Sequence, residues 1–376
     1  MSAPFIRFDN GPSGAPEEFS AASAVLCART PEEVPEVLRQ MQEARQAGAW
    51  LAGYASYELG YALEPKLAPL MPKNRRVPLM QFGVFERPVV AADLPAPEVS
   101  LNEFKAGWTF DEYADAFRTV AKCIRDGDFY QANLTFPMQA AVTGDMLAHY
   151  SALVDRQSTP YGVYLDFGDG MKILSRSPEL FFEISTTGTI QTRPMKGTAP
   201  RDSDPAKDRA LAAELAIDEK NRAENLMIVD LLRNDLSRVC EVGSVKVPRL
   251  FEVETYTTVH QMVSHIEGQL LADTDVSGLF HALFPCGSIT GAPKIRAVEV
   301  LNELEPEPRG VYCGAIGWMA PDGRSRFNVA IRTLMVFDDE TAVLNVGGGV
   351  VYDSTAASEY EEALWKARFA NLSPKT

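Results

Sequence analysis

The pattern of apolar and polar residues divides the chain into helical and extended stretches. Apolar residues recur at the spacing of one helix face over 31–48, which ends at Gly48, and again over 110–125. The stretch 205–239 also has a helical pattern, and its second half is apolar on nearly all sides, which predicts a buried helix. A last helix is predicted over 355–371.

Between these helices lie β-rich segments separated by short turns that contain glycine. YGVYLDF, KILSRSPELFFEIS and GTIQTRP follow one another and predict antiparallel strands. The aromatic stretch AWLAGYASYELGYALEP predicts strand and turn. Antiparallel strands mixed with long helices predict an α+β fold, and the lack of a βαβ alternation or a G-x-G-x-x-G motif excludes a Rossmann fold.

The stretch RPVVAADLPAPEVSL (87–101) has three prolines and little periodicity, so it predicts a connector. A smaller N-terminal part precedes it and a longer C-terminal part follows. We therefore expect an N-terminal subdomain over 1–100, packed into the same fold, and a larger domain over 101–376, which also contains the candidates for chemistry described below.

The overall composition is that of a globular protein. Of the 376 residues, 46% are hydrophobic and 23% are charged, and no apolar run is long enough to predict a membrane span. The net charge of −15 argues against binding to nucleic acids or anionic membranes. The five cysteines are scattered, which argues against zinc sites and disulfides. The N-terminus does not have the pattern of a secretory signal, and we expect a cytoplasmic protein.

The first candidate for chemistry is Lys196, in the stretch QTRPMKGTAPR (191–201). Pro194 and Gly197 constrain the backbone on either side of it, so the amine should point in a fixed direction. A solvated surface lysine is the alternative. A fixed direction suits a nucleophile or a clamp for an anion.

Carboxylates form a second group of candidates. Glu224 leads into the apolar helix, where a carboxylate must be paired, protonated or bound to a cation. Glu359, Glu362 and Lys366 share one face of the C-terminal helix. Carboxylates from separate helices suit Mg²⁺, which binds oxygen ligands and keeps several waters. Ordinary salt bridges and a solvated helix face are the alternatives.

Two glycine-rich stretches, GSITGAPK (287–294) and NVGGGVV (345–351), predict loops whose backbone amides can approach an anion, although either could be a simple tight turn. Arg332 interrupts an apolar, strand-like run, and its planar fork suits a carboxylate. His260 is either a histidine satisfied in the core or a functional one.

Six ordered motifs resemble the chorismate-binding enzymes over about residues 105–372. They are RPMKGTAPR, ENLMIVDLLRNDLSRVC, FPCGSITGAPKIRA, YCGAIGW, NVAIRT and GGGVVYDS followed by EYEEALWKA. The resemblance implies a layered α+β fold, in which two facing antiparallel sheets are flanked by helices and the active site lies between the sheets.

The resemblance also implies residue roles. Glu224 and Glu362, with Glu359 nearby, would hold Mg²⁺ against the ring carboxylate of chorismate. The residues expected to contact the substrate are Arg332, Tyr312, Lys366, Thr290, Ala292, Gly197, Thr198, Gly347, Gly348 and Gly349.

Two positions indicate a branch of the family. Gln131 stands where the water-adding members have a lysine base, and Lys196 stands where anthranilate synthases usually have alanine. Gln131 therefore argues against water addition, and Lys196 resembles the branch that makes aminodeoxychorismate for p-aminobenzoate and folate synthesis. In that branch Lys196 would be a covalent nucleophile at C2, Glu179 a general acid, and His260 an active-site residue without an assigned role.

This chemistry needs a neutral amine, so we expect burial or nearby cations such as Arg193 to lower the pKa of Lys196. The sequence has no G-x-C-x-G motif of a glutamine amidotransferase, so ammonia should come from solution or from an amidotransferase partner. Two alternatives remain open: an anthranilate synthase component I, and a catalytically silent chorismate-binding subunit.

Overall fold

The structure is a computed structural model that describes residues 3–98, 101–256 and 259–372. Within these residues the strands form two ten-stranded sheets. The strands are β1 Phe5–Phe8, β2 Glu17–Phe19, β3 Ala24–Ala28, β4 Trp50–Ala55, β5 Met80–Phe85, β6 Val89–Val90, β7 Lys105–Ala106, β8 Gln131–Ala141, β9 Tyr161–Asp166, β10 Met171–Ser177, β11 Leu180–Ile184, β12 Thr189–Arg193, β13 Met195–Pro200, β14 Lys246–Thr255, β15 Val259–Gln269, β16 Gly291–Ala292, β17 Ala315–Met319, β18 Ser325–Val329, β19 Thr333–Phe337 and β20 Thr341–Val350.

The helices pack around these sheets. They are α1 Val34–Gln46, α2 Leu59–Leu63, α3 Phe110–Asp126, α4 Met146–Arg156, α5 Pro205–Ile217, α6 Glu219–Ser237, α7 Val276–Leu283, α8 Lys294–Leu304 and α9 Ala356–Ala367, with short 3-10 helices at Pro31–Glu33, Ala68–Leu70, Gly287–Ile289 and Arg368–Ala370. Among the described residues, no helix combines the length and the apolar character needed to cross a bilayer.

Neighbouring strands pair antiparallel in both sheets. The first sheet has the order β16-β8-β20-β19-β10-β9-β1-β2-β6, with β7 added to β8. The second has the order β13-β15-β12-β11-β18-β17-β4-β5-β3, with β14 added to β15. The α+β fold with two antiparallel sheets is therefore as predicted. Strands from before residue 87 contribute to both sheets.

The chain crosses from one sheet to the other at two places that contain predicted site residues. β10 ends at Ser177 in the first sheet and β11 begins at Leu180 in the second, so Glu179 lies at the crossing. β18 and β19 belong to different sheets as well, and Arg332 lies between them with a φ of 50°. The prediction of Arg332 within a strand was therefore wrong. Glu179 and Arg332 therefore both lie in segments that connect one sheet to the other.

The space between the sheets is filled differently along their length. A cluster of buried apolar side chains fills the part near β1, β4, β9 and β17, and it includes Ile6, Tyr54, Leu165, Ile316 and Trp318. Burial of such side chains is the main favourable contribution to folding. The part near β8, β20, β13 and β15 contains polar side chains and a cavity.

Four local predictions need correction. Helix α6 is not buried on all sides, because Leu226 is 43% exposed and only one face packs inward. The helical stretch 205–239 is broken at Asp218, which caps α6. The stretch after β4, predicted as turn, contains helix α2. The glycines at 347–349 lie inside β20 rather than in a loop.

Candidate active site

The polar end of the inter-sheet space holds a cavity of about 740 Å³. It receives side chains from both sheets, from α6 and from α9. Most of the sequence-predicted site residues line it, namely Glu179, Lys196, Gly197, Thr198, Glu224, Tyr312, Arg332, Gly347, Gly349, Glu359, Glu362 and Lys366. The fold therefore brings together residues that lie far apart in the sequence.

Lys196 lies on β13, at the edge of the second sheet. The pairing of β13 with β15 slips between Met195 and Thr198, so Lys196 and Gly197 form a bulge. Gly197 has a φ of 87°, in the left-handed region that favours glycine. A bulge re-aims the side chain that it carries, and here it directs Lys196 into the cavity.

The electrostatic surroundings of Lys196 favour its neutral form. Burial is the largest effect and lowers the pKa of Lys196, and the charge of Lys366 acts in the same direction. The carboxylates of Glu224, Glu179 and Glu362 oppose the change, but the net direction is downward. Burial in a low-dielectric site disfavours the ammonium form of a lysine.

Arg193 is not among the main influences on the pKa of Lys196. It is close to Lys196 in the sequence, but its guanidinium forms an ion pair with Glu254. Of the causes expected from the sequence, burial lowers the pKa of Lys196 most, and the main cation acting on it is Lys366 on α9 rather than Arg193.

Gln131 is fully buried beside Lys196, with 0% of its surface exposed. Neither its amide nitrogen nor its amide oxygen has a hydrogen-bond partner among the described atoms. A Cβ added to Gly349 would lie 3.0 Å from the Gln131 Nε2 atom and 3.3 Å from the Lys196 Nζ atom. A buried amide without partners is costly, so this one is available for a ligand.

Glu179 is a buried acid whose side chain is 5% exposed. Burial raises its pKa to about 7, although Ser288, Lys196 and Arg332 favour the charged form. Its Oε1 atom has no hydrogen-bond partner in the described structure. A carboxyl group with this pKa can donate a proton near neutral pH.

Arg332 is partly buried and lines the cavity. Burial lowers its pKa, and the charge of Glu179 opposes that change. A buried guanidinium needs an anionic partner, and its fork can bind a carboxylate in a bidentate manner. The Tyr312 side chain is buried nearby in the same lining, and burial raises its pKa well above 10.

Helix α9 presents the predicted charged face to the cavity. The Lys366 Nζ atom lies 2.8 Å from Glu362 Oε1 and donates to the Gly347 carbonyl oxygen at 2.9 Å. Glu359 accepts a hydrogen bond from the Ser354 hydroxyl at 2.7 Å. Thr355 caps the helix, which places Glu359 in the first turn and Lys366 in the last, as the helix dipole favours.

The carboxylates around this face influence one another. Burial raises the pKa values of Glu224 and Glu359, and the negative charge of Glu362 raises both further. The positive charge of Lys366 instead lowers the pKa of Glu362 despite its partial burial. Glu224, Glu359 and Glu362 do not lie close enough together to form a compact group of three ligands. In the described residues, only Glu252, Glu254 and His265 have ligand atoms that all lie within 4.8 Å of one another.

His260 does not reach the cavity. Its Nε2 atom lies 2.9 Å from Asp208 Oδ1 on α5, and its Nδ1 atom lies 3.0 Å from the Thr255 hydroxyl. Successive side chains of a strand point to opposite faces, so Gln261 faces the cavity and His260 faces away. The assignment of His260 to the reacting centre needs correction.

Three further predicted residues lie next to the cavity rather than in its lining. Thr290 donates its hydroxyl to the carbonyls of Cys286 and Gly287, and Ala292 pairs with Gln131 in the first sheet. A Cβ on Gly348 would lie 3.0 Å from Glu359 Oε2, so Gly348 leaves room for α9.

Sequence reasoning missed several residues of the lining, including Asn133, Asn221, Gln261, Ser288 and Asn345. They are uncharged. Ser288 and Asn345 lie within the two glycine-rich stretches, where only the backbone amides were expected to matter, and the other three lie outside the quoted motifs. The two-residue period of β15 could have indicated Gln261, because the buried residues His260, Met262 and Ser264 alternate with it.

Comparisons with known proteins find similar chains. A chain 46% identical over 275 residues is the "Aminodeoxychorismate synthase" of Streptomyces pristinaespiralis, with 73% of this chain and 37% of the relative covered. "Aminodeoxychorismate synthase component 1" of Salmonella typhimurium is 44% identical over 265 residues, with 70% and 58% covered. The chain thus spans 37% and 58% of the lengths of these two relatives.

The fold has solved counterparts as well. Anthranilate synthase component I from Streptococcus pneumoniae superposes with a TM-score of 0.82 at 27% identity, and the match covers 99% of this chain and 93% of that one. The sequence profile of the chorismate binding enzymes matches residues 92–371. The chain therefore belongs to the chorismate binding enzyme family.

Proposed function

We propose that this chain converts chorismate and ammonia to 4-amino-4-deoxychorismate, the precursor of p-aminobenzoate for folate synthesis. The observation that carries the proposal is the cavity-facing amine of Lys196, whose pKa is lowered by burial. The similarity to two aminodeoxychorismate synthases supports the same activity.

The reaction needs a nucleophile and an acid, and Lys196 and Glu179 suit these roles. The neutral amine of Lys196 bonds to C2 of chorismate, the double bonds shift, and the C4–O bond breaks. Protonated Glu179, with a pKa of about 7, gives its proton to the departing hydroxyl, which leaves as water. Both side chains line the same cavity.

The second half of the reaction regenerates the lysine. Ammonia bonds to C4, the double bonds shift back, and the C2–N bond to Lys196 breaks. The attached Lys196 nitrogen first returns its extra proton to the Glu179 carboxylate, and ammonia then supplies the proton that the departing amine takes up. Chorismate and ammonia therefore give the product and water, with Lys196 and Glu179 restored. The unpartnered Gln131 amide is suited to accept a hydrogen bond from an amine in this part of the cavity.

The carboxylates of Glu224 and Glu362, with Glu359 nearby, are the residues that would hold a Mg²⁺ ion. They are hard oxygen ligands from two helices. Burial raises the pKa values of Glu224 and Glu359, the negative charge of Glu362 raises both further, and a divalent cation would relieve that repulsion. When bound, Mg²⁺ would neutralise a substrate carboxylate and fix the position of the ring. Arg332 would bind a second carboxylate of the substrate.

A glutamine amidotransferase subunit is the partner that we propose as the source of ammonia. The Salmonella relative is named a component 1, which implies a further component. We place the reaction in the cytoplasm, where free cysteines remain reduced.

The test is to incubate the protein with chorismate, Mg²⁺ and ammonium, with and without a lyase that converts aminodeoxychorismate to p-aminobenzoate. We expect p-aminobenzoate only when the lyase is present. Fluorescent anthranilate without the lyase would instead indicate an anthranilate synthase. Lys196→Ala should abolish turnover, and the exposed Lys207→Ala should preserve it.

Failure of the parent to turn over chorismate, while it still binds it, would favour a silent chorismate-binding subunit. Equal turnover by Lys196→Ala and the parent would contradict the covalent route.

A further inference from the structure

Gln261 of β15 holds the bulge that carries Lys196. Its amide nitrogen donates to the Gly197 carbonyl oxygen at 2.7 Å, and its amide oxygen accepts from the Thr198 hydroxyl at 2.9 Å. The side chain also lines the cavity. One amide therefore contacts both residues that follow Lys196.

The bulge needs this support because it lacks regular strand pairing. Met195 pairs with Val263, and the register then shifts before Thr198 pairs with Gln261. The backbone of Lys196 and Gly197 is therefore outside the regular register. A polar backbone group without a partner in a half-buried site is costly, and the Gln261 amide supplies the partner for the Gly197 carbonyl.

The opposite side of the bulge is also confined. A Cβ added to Gly197 would lie 2.9 Å from the Asn221 side chain of α6. The bulge therefore lies between Asn221 and Gln261, with Lys196 directed into the cavity from that position.

The chemistry of an amide suits this position. The Gly197 carbonyl accepts a hydrogen bond and the Thr198 hydroxyl donates one. A side chain that contacts both therefore needs one donor and one acceptor. A glutamine provides both without a net charge. A glutamate would place a negative charge near Lys196 and favour its ammonium form.

We propose that Gln261 is a positioning residue that fixes the aim and the desolvation of the Lys196 amine. The inference rests on the proposed role of Lys196 as a nucleophile. It assigns Gln261 no contact with the reacting atoms.

Gln269, on the same strand, offers a matched control. Its amide nitrogen donates to the Thr187 carbonyl oxygen at 2.8 Å, and its amide oxygen accepts from the Thr189 hydroxyl at 3.4 Å. It has the same pair of partner types but lies outside the lining of the cavity. Gln261→Leu and Gln269→Leu thus remove equivalent contacts, one beside Lys196 and one away from it.

The experiment measures two quantities in the parent and both variants. The first is the steady-state rate with chorismate, Mg²⁺ and ammonium. The second is the pH dependence of acetylation at Lys196 by acetic anhydride, followed by peptide mass spectrometry. The labelling curve reports the pKa of the amine without any need for turnover.

For Gln261→Leu we expect kcat to fall by on the order of tenfold to a hundredfold, because small misplacements of a reacting group are costly. KM for chorismate should change by less than about threefold, because the loss affects the reacting step more than binding. The labelling midpoint of Lys196 should move up by about one pH unit, because the released amine becomes better solvated. Gln269→Leu should have the same kcat, the same KM for chorismate and the same labelling midpoint of Lys196 as the parent.

Two results would overturn the role of Gln261: a labelling curve for Gln261→Leu that coincides with the parent's, or an equal change in Gln269→Leu. If Gln261→Leu does not fold, Gln261→Glu retains the side-chain length, and an unchanged labelling curve there also contradicts the proposal. If the labelling curve shifts in Gln261→Leu alone while the parent does not turn over chorismate, the proposed function is contradicted and the role of Gln261 in positioning the amine is supported.

Discussion

A Cβ atom on Gly349 would lie 3.3 Å from the Nζ atom of Lys196. Gly349 belongs to β20 of the first sheet and Lys196 to β13 of the second, so the two sheets approach each other at the amine. The missing side chain leaves space for the amine and for the Gln131 amide beside it. The reaction space therefore depends on a residue that has no functional group of its own.

The substitution Gly349→Ala tests this space. The added methyl group would also lie 3.0 Å from the Gln131 amide nitrogen, so Gln131 or Lys196 must move. We expect kcat to fall by about tenfold or more, because the amine loses its alignment. Thermal unfolding should shift by only a few degrees, since alanine suits a strand better than glycine. Unchanged kinetics in a folded variant would contradict the arrangement.

The pH dependence of turnover tests Glu179. Its pKa of about 7 means that the acid form dominates below that pH and is lost as the pH rises through it. If Glu179 protonates the leaving hydroxyl, kcat should decline on the alkaline side with a midpoint near its pKa.

The variant Glu179→Gln should lose this alkaline limb together with on the order of 10² to 10⁴ of the rate. The exposed Glu214 is a matched control, because Glu214→Gln neutralises a carboxylate outside the cavity lining. A Glu179→Gln variant that keeps both the rate and the alkaline limb would exclude Glu179 as the acid.

Removal of divalent cations tests the carboxylates. Treatment with EDTA should stop chorismate turnover and added Mg²⁺ should restore it, because the substrate carboxylate would otherwise face Glu224 and Glu362 without charge neutralisation. Glu224→Gln should lower turnover by on the order of a hundredfold. Activity that survives both EDTA and Glu224→Gln would mean that these carboxylates have a structural role.

A buried arginine, Arg309, contacts the backbone of residues that line the cavity, and its substitution tests how much it stabilises them. Arg309 is 3% exposed and donates to the carbonyl oxygens of Asn133 and Ile289 at 2.7 and 3.2 Å, and it pairs with Glu305 at 2.8 Å. Both carbonyls belong to residues of the cavity lining.

The variant Arg309→Met leaves Glu305 buried without its partner, so chemical denaturation should show a loss of about 3–5 kcal/mol in the free energy of unfolding. The double variant with Glu305→Leu should recover part of that loss, because it removes the unpaired charge. Equal losses in the single and double variants would contradict this account.

The sequence predicted the parts of the site that depend on local spacing. Glu359, Glu362 and Lys366 share a helix face because residues three and four apart do so in any α-helix. The position of Lys196 between Pro194 and Gly197 likewise indicated an aimed side chain.

Other features of the site depend on how distant segments of the chain pair with one another. A local sequence pattern does not predict that pairing. Arg193 adjoins the Lys196 segment in sequence but pairs with Glu254 on β14. His260 and Gln261 exchange roles because the register of β15 decides which of them faces the cavity. Arg332 lies between the sheets because β18 and β19 belong to different ones, and no periodicity within NVAIRT indicates that.

The covalent role of Lys196 is the central claim, and mass spectrometry of the protein mixed rapidly with chorismate and Mg²⁺ in the absence of ammonium tests it most directly. The account predicts an adduct with the mass of chorismate less one water, located on the peptide that contains Lys196 and absent from Lys196→Ala. Turnover on addition of ammonium, with no such adduct at any time before it, would contradict the account.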